Sequence, residues 1–149
     1  MKKSLTQIIT AFRTFASSHK QIEAFETKPL SENIANNLVY PLMFIDVQAM
    51  NASFIAGAVN INVPIYMLDR IERDYSNLVS VLSNALLKMD DFYTYFNDHE
   101  CGVDGFGFNF SNNLSATPVV YEFDDLVAGY SAVIVCQVGV SRNESQIPI

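Results

Sequence analysis

At 149 residues the chain has the length of one domain, and a core of that size folds without a disulfide or a metal. Its residues are 50% hydrophobic and only 17% charged, against about 25% charged in an ordinary soluble domain, so part of the surface is expected to be covered by partners. The net charge of −7 excludes a protein that coats duplex DNA, which needs a basic face.

The charge is unevenly spread. Residues 1–30 hold five basic side chains, Lys2, Lys3, Arg13, Lys20 and Lys28, against Glu23 and Glu26. The remainder holds four basic and fourteen acidic residues. An acidic body repels nucleic acid, which suits a surface past which DNA slides without sticking. Cys101 and Cys136 stand 35 apart and form no C-x-x-C motif. Met1-Lys2-Lys3 resembles a signal-peptide start, but Gln7 and Arg13 interrupt the apolar run behind it, and a cytosolic chain is expected. No apolar stretch reaches the length of a membrane span.

In chain order, Ser4 and Gln7 form a capping box that opens a first helix. Leu5, Ile8, Ile9, Phe12, Phe15, Ala16, His19 and Ile22 recur at helical spacing and predict a helix to about Phe25. Leu38 to Gln48 is rich in β-branched and aromatic residues and predicts a strand, with Pro41 at an edge or bulge. The uncharged run Ala49–Ala58 predicts a hairpin whose tip lies around Asn51, with Phe54 and Ile55 starting the return. Val59, Ile61, Val63, Ile65 and Met67 then alternate with Asn60, Asn62, Pro64, Tyr66 and Leu68, a strand with one strongly apolar face. Asp74 or Ser76 is the expected cap of a second helix, whose stripe is Leu78, Leu82, Ala85, Met89, Phe92 and Phe96. A glycine-rich loop over 98–107 follows, then a short strand over 108–113. Pro118–Asp124 and Tyr130–Val140 form an antiparallel pair joined by an acidic loop. The order predicts an α+β domain over 1–140: an antiparallel sheet of four to five strands with two helices packed on one face. Residues 141–149 are expected to form a C-terminal arm.

Little catalytic chemistry is legible. Asp98, His99, Glu100, Cys101 and Asp104 are the one concentration of metal-capable groups, and their spacing lacks the third ligand and closing Glu of a calcium loop. A solvated turn after a helix explains them more simply. His19 belongs to an apolar helix face and reads as a packed or interface histidine. No nucleophile elbow, phosphate loop or dinucleotide fingerprint is present. Asp90-Asp91 and Asp124-Asp125 are neighbours in sequence, which does not make a paired acid and base. Phe106, Phe108 and Phe110 alternate but have no Lys or Arg nearby to hold a nucleic-acid backbone. The expectation is a protein that is not an enzyme and takes no cofactor or metal.

Four segments carry a family resemblance: Leu5–Ala16 with His19; Tyr40-Pro41-Leu42-Met43-Phe44; Ile65-Tyr66-Met67-Leu68-Asp69; and Glu122 to Tyr130 with the final Ile147-Pro148. In order and spacing they resemble neck or tail-completion proteins of tailed bacteriophages, including crAss-like phages. The resemblance implies a tail-terminator-like fold and a virion protein, assembled in the host cytoplasm. It further implies a homo-oligomeric ring, six- or twelve-fold, at the head–tail junction. Its partners would be neighbouring neck, connector or tail proteins, with DNA passing through without sequence-specific binding and no membrane involved. The interface candidates are Asn51, Phe54 and Ile55 in the hairpin, Asp124, Asp125 and Tyr130 in the C-terminal run, and Ile147, Pro148 and Ile149 in the arm. The acidic residues Asp90, Asp91, Asp98 and Glu122 are further candidates for a repulsive or pairing surface. The alternative is a cytosolic, non-enzymatic module that holds a small ligand, or calcium at Asp98, Glu100 and Asp104.

Overall fold

The computed structural model describes residues 5–27, 38–98, 109–110, 113–122 and 126–139, together with Ser145 and Pro148. Helix α1 spans Leu5–Ser18 and buries Ile8, Phe12, Phe15 and Ala16, the inward face of the predicted stripe. Its hydroxyls turn back on the helix: Thr10 Oγ1 donates to the Thr6 carbonyl at 2.8 Å and Thr14 Oγ1 to that of Thr10 at 2.9 Å. Ser4, the expected cap, lies outside the described residues.

The helix is shorter than its periodicity predicts. The His19 amide donates to both the Phe15 and Ala16 carbonyls, tightening the last turn, and Ile22 turns back onto the His19 carbonyl. Glu23 and Ala24 then both donate to the Pro41 carbonyl, at 2.9 and 3.4 Å, which commits the chain to strand β1 at Ala24–Glu26. Phe25 therefore continues the apolar pattern from a strand, opposite Met43, with the Arg13 guanidinium 5.2 Å over its ring. A strand and a helix both bury Ile22 and Phe25, so spacing alone does not separate them.

Strand β2 is only Leu42–Ile45, fully buried, and a 3₁₀ turn at Val47–Ala49 replaces the rest of the predicted strand. Strand β3 is Asn51–Ile55 and β4 is Ala58–Arg70. The hairpin between them turns at Ala56-Gly57, where Gly57 has a φ of +77° that glycine adopts freely. Asn51 is thus the first residue of β3, opposite Asn62, and not the tip. Helix α2 spans Leu78–Asp98. Neither expected cap closes it. Asp74 folds onto the Ser76 amide and Asn77 onto that of Glu72, while the Asn77 carbonyl accepts the first helical bond, from Val81. Strands β5 (Asn109–Phe110), β6 (Ala116–Glu122) and β7 (Leu126–Gly139) complete the chain.

The sheet is mixed, not antiparallel, and larger than four or five strands: seven segments in the order β1-β2-β4-β7-β5, with β3 also on β4 and β6 also on β7. The β1–β2 pair is parallel, because β1 enters from α1 and lies on the outer edge of β2. The centre is the β4–β7 ladder, thirteen residue pairs from Ala58↔Gly139 to Arg70↔Val127. At one end its neighbours are β3 and β5, and at the other β2 and β6.

Both helices pack on one face of this sheet. The alternate residues Val63, Ile65 and Met67 of β4 and Ala132, Ile134, Cys136 and Val138 of β7 meet Ile8, Phe12, Phe15, Met89, Phe92 and Phe96. Phe12 stands edge-on to Phe92 and Phe96, with centroids 5.2 and 5.1 Å away, an arrangement that adds to their area burial. A smaller cluster covers the opposite face near the β2 end: Leu42, Phe44, Leu68 and Val127, with Tyr66 stacked on Phe44 at 4.4 Å. The first turns of α2 close the edge through Val81 on Ile71, Leu126 and Ala128.

Candidate assembly surface

The β3–β4 hairpin projects from the body. Every residue of β3 is exposed, Phe54 by 77% and Ile55 by 43%. Strand periodicity sets its two sides. Phe54 opposes Val59 and lies on the helix side of the sheet, beyond the packed core. Asn51 lies on the other side, where a polar ladder fixes the register: Asn62 Nδ2 donates to Asn51 Oδ1 at 2.6 Å, and Gln137 Nε2 donates to Asn60 Oδ1 at 3.1 Å. Side-chain hydrogen bonds thus brace the base of the hairpin, while Phe54 and Ile55 towards its tip stay exposed. No Lys, Pro or charged residue blunts β3, which is how exposed edges are usually protected. On the far edge β6 does carry one, Pro118.

An apolar groove of about 530 Å³ lies on that far edge, between α2 and the start of β6. Leu86, Leu87, Met89, Tyr93, Leu114 and Ala116 line it, with Asp90 alongside. Leu86 and Leu87 are 47% and 58% exposed. Sequence reasoning missed this groove, although its signal was present: Leu86 and Leu87 fall between Ala85 and Met89, off the stripe that fills the core.

The other predicted residues scatter. Tyr130 is half-buried and packs against the main core. It stands eight residues along β7 from Val138, the partner of Val59, so it lies about 26 Å from the hairpin base and does not join it. Asp124, Asp125, Ile147 and Ile149 lie outside the described residues, and Pro148 is exposed. Asp98 ends α2, while Glu100 and Asp104 of the suggested calcium loop lie outside the described residues. Among the described residues, no three His, Cys, Asp or Glu side chains gather as a metal site. Nor is any described helix long and apolar enough to cross a membrane.

His19 is a packed histidine, one residue past α1. Its Nδ1 accepts from the Gln21 amide at 3.1 Å, which assigns the proton to Nε2, and Nε2 donates to Asp91 Oδ2 at 2.8 Å. That bond ties the end of α1 to the middle of α2. Phe15 packs beside the imidazole at 5.5 Å. No protein-family model matches the chain, and no curated protein matches it in sequence.

Proposed function

We propose that the protein is a structural component of a phage virion: a neck or tail-terminator ring subunit, without enzymatic activity, around a passage for DNA. The observation that carries this reading is the pairing of two unlike apolar surfaces on opposite sheet edges. One is a projecting hairpin with Phe54 at its tip, the other a groove with Leu86 and Leu87 on its walls. A knob and a socket on different edges of one molecule make a head-to-tail contact, and such contacts close into rings when the rotation per subunit allows it. The acidic balance of the chain beyond residue 30 fits a channel through which DNA moves without adhering. The tail-terminator-like fold suggested by the four sequence segments belongs to the same proposal. Its finer features are the ring's neighbours in the neck and the reaching arm over 141–149.

Negative-stain electron microscopy and mass photometry of the purified chain test the proposal, alone and with neck or tail partners added. Rings are expected. Phe54→Asp should remove about 2 kcal/mol of apolar burial at every subunit contact, weakening each about 30-fold, with the fold intact. Particles that remain monomeric with every partner, or rings unaffected by Phe54→Asp, would count against the hairpin as the contact.

A further inference from the structure

A second cavity, separate from the groove and the hairpin, has about 340 Å³ between the α1–β1 turn, the end of β4 and α2. Gln21, Glu23, Pro41, Asp69, Asn84 and Lys88 line it. Lys88 is the one charged side chain buried among the described residues, with 5% exposure. Among the described residues it forms no hydrogen bond or ion pair, although the Asp69 carboxylate attracts it electrostatically. Burial of its stem disfavours the Lys88 charge, and an ammonium that opens into a cleft with no described carboxylate in ion-pair contact favours a further group that completes it.

The lining decides what that group is. A simple anion would meet Lys88 but also the repulsion of Glu23 and Asp69. A simple cation would meet the two carboxylates and the repulsion of Lys88. A molecule with both charges satisfies all three, its carboxylate on the Lys88 ammonium and its ammonium between Glu23 and Asp69. The side-chain amides of Gln21 and Asn84 can donate to the first or accept from the second. The volume is at the lower end for a small-molecule site. We propose that this cleft binds a small zwitterion of the amino-carboxylate class, such as a free α-amino acid. The inference goes beyond the ring and does not depend on it.

Isothermal titration calorimetry and thermal shift on the full chain test it, with a panel of free L-amino acids as probes. Acetate and methylamine serve as probes that carry one charge each. Saturable binding of at least one amino acid is expected, with acetate and methylamine at least tenfold weaker. Lys88→Met should weaken that binding at least tenfold in a protein whose circular dichroism is unchanged. The double variant Glu23→Gln with Asp69→Asn should do the same, and it carries the test if Lys88→Met does not fold. Absence of binding by every amino acid overturns the proposal. So does equal binding of acetate, or affinity that survives both variants. Particle formation is scored separately, so failure of the ring and failure of the ligand site are distinguishable.

Discussion

Gly129 is fixed by a backbone contact rather than by a turn. A Cβ added there would lie 1.7 Å from the Met67 carbonyl oxygen across the β4–β7 ladder. Because the obstacle is main chain, the neighbour cannot rotate away, and Gly129→Ala should destabilise the fold by about 3 kcal/mol. Urea unfolding checks this: the midpoint should fall with the slope unchanged, and a midpoint within error of the parent would refute it. Tyr121 marks the opposite face of the sheet. Burial, then the neighbouring Tyr66 phenol, pushes its own phenol up to about 12. Unfolded tyrosine releases its proton near pH 10, so between about pH 10 and 12 the native state holds the extra proton. Stability must therefore fall as pH rises through that window. Tyr121→Phe keeps the ring and removes the proton, so melting temperatures recorded from pH 9 to 12 should fall less steeply than in the parent.

At the scale of elements, α2 does two jobs that share only Met89. Ala85, Met89, Phe92 and Phe96 fill the core, while Leu86 and Leu87 build the groove. The second job can be removed without the first. Leu86→Lys with Leu87→Lys should leave the monomer's unfolding free energy within about 0.5 kcal/mol, since both side chains are exposed. In the proposed ring it should weaken the subunit contact at least as much as Phe54→Asp does. Combining the three substitutions should add no further loss, because knob and socket would be one contact. Additive losses in sedimentation equilibrium would mean that the two surfaces meet different partners. Half of this site was legible in the sequence. The uncharged run with Phe54 and Ile55 predicts an exposed hairpin, but its turn lies at Ala56-Gly57, where Gly57 supplies the positive φ, and Asn51 pairs within the strand. Of the groove only one wall is legible, the off-stripe Leu86 and Leu87; the other comes from Leu114 and Ala116, about thirty residues further along the chain.

For the molecule as a whole, β4 and the stripe of α2 were legible because the main core takes alternate residues of the one, Val63, Ile65 and Met67, and helically spaced residues of the other, Ala85, Met89, Phe92 and Phe96. The mixed sheet was not. Ala24–Glu26 is three residues long, and nothing local to it specifies a parallel partner; the Pro41 carbonyl, which accepts from Glu23 and Ala24, makes that choice from outside. The long β4–β7 ladder has a consequence for how the chain acquires its shape. Its partners are 57 residues apart at the near end, Arg70↔Val127, and 81 apart at the far end, Ala58↔Gly139. During synthesis, α1, the hairpin and α2 are all made before β7 exists. Until then Val63, Ile65 and Met67 lie along an open edge with no central partner to pair with. Contacts this distant in sequence form slowly, and a nascent chain waiting for them is a natural client for chaperones.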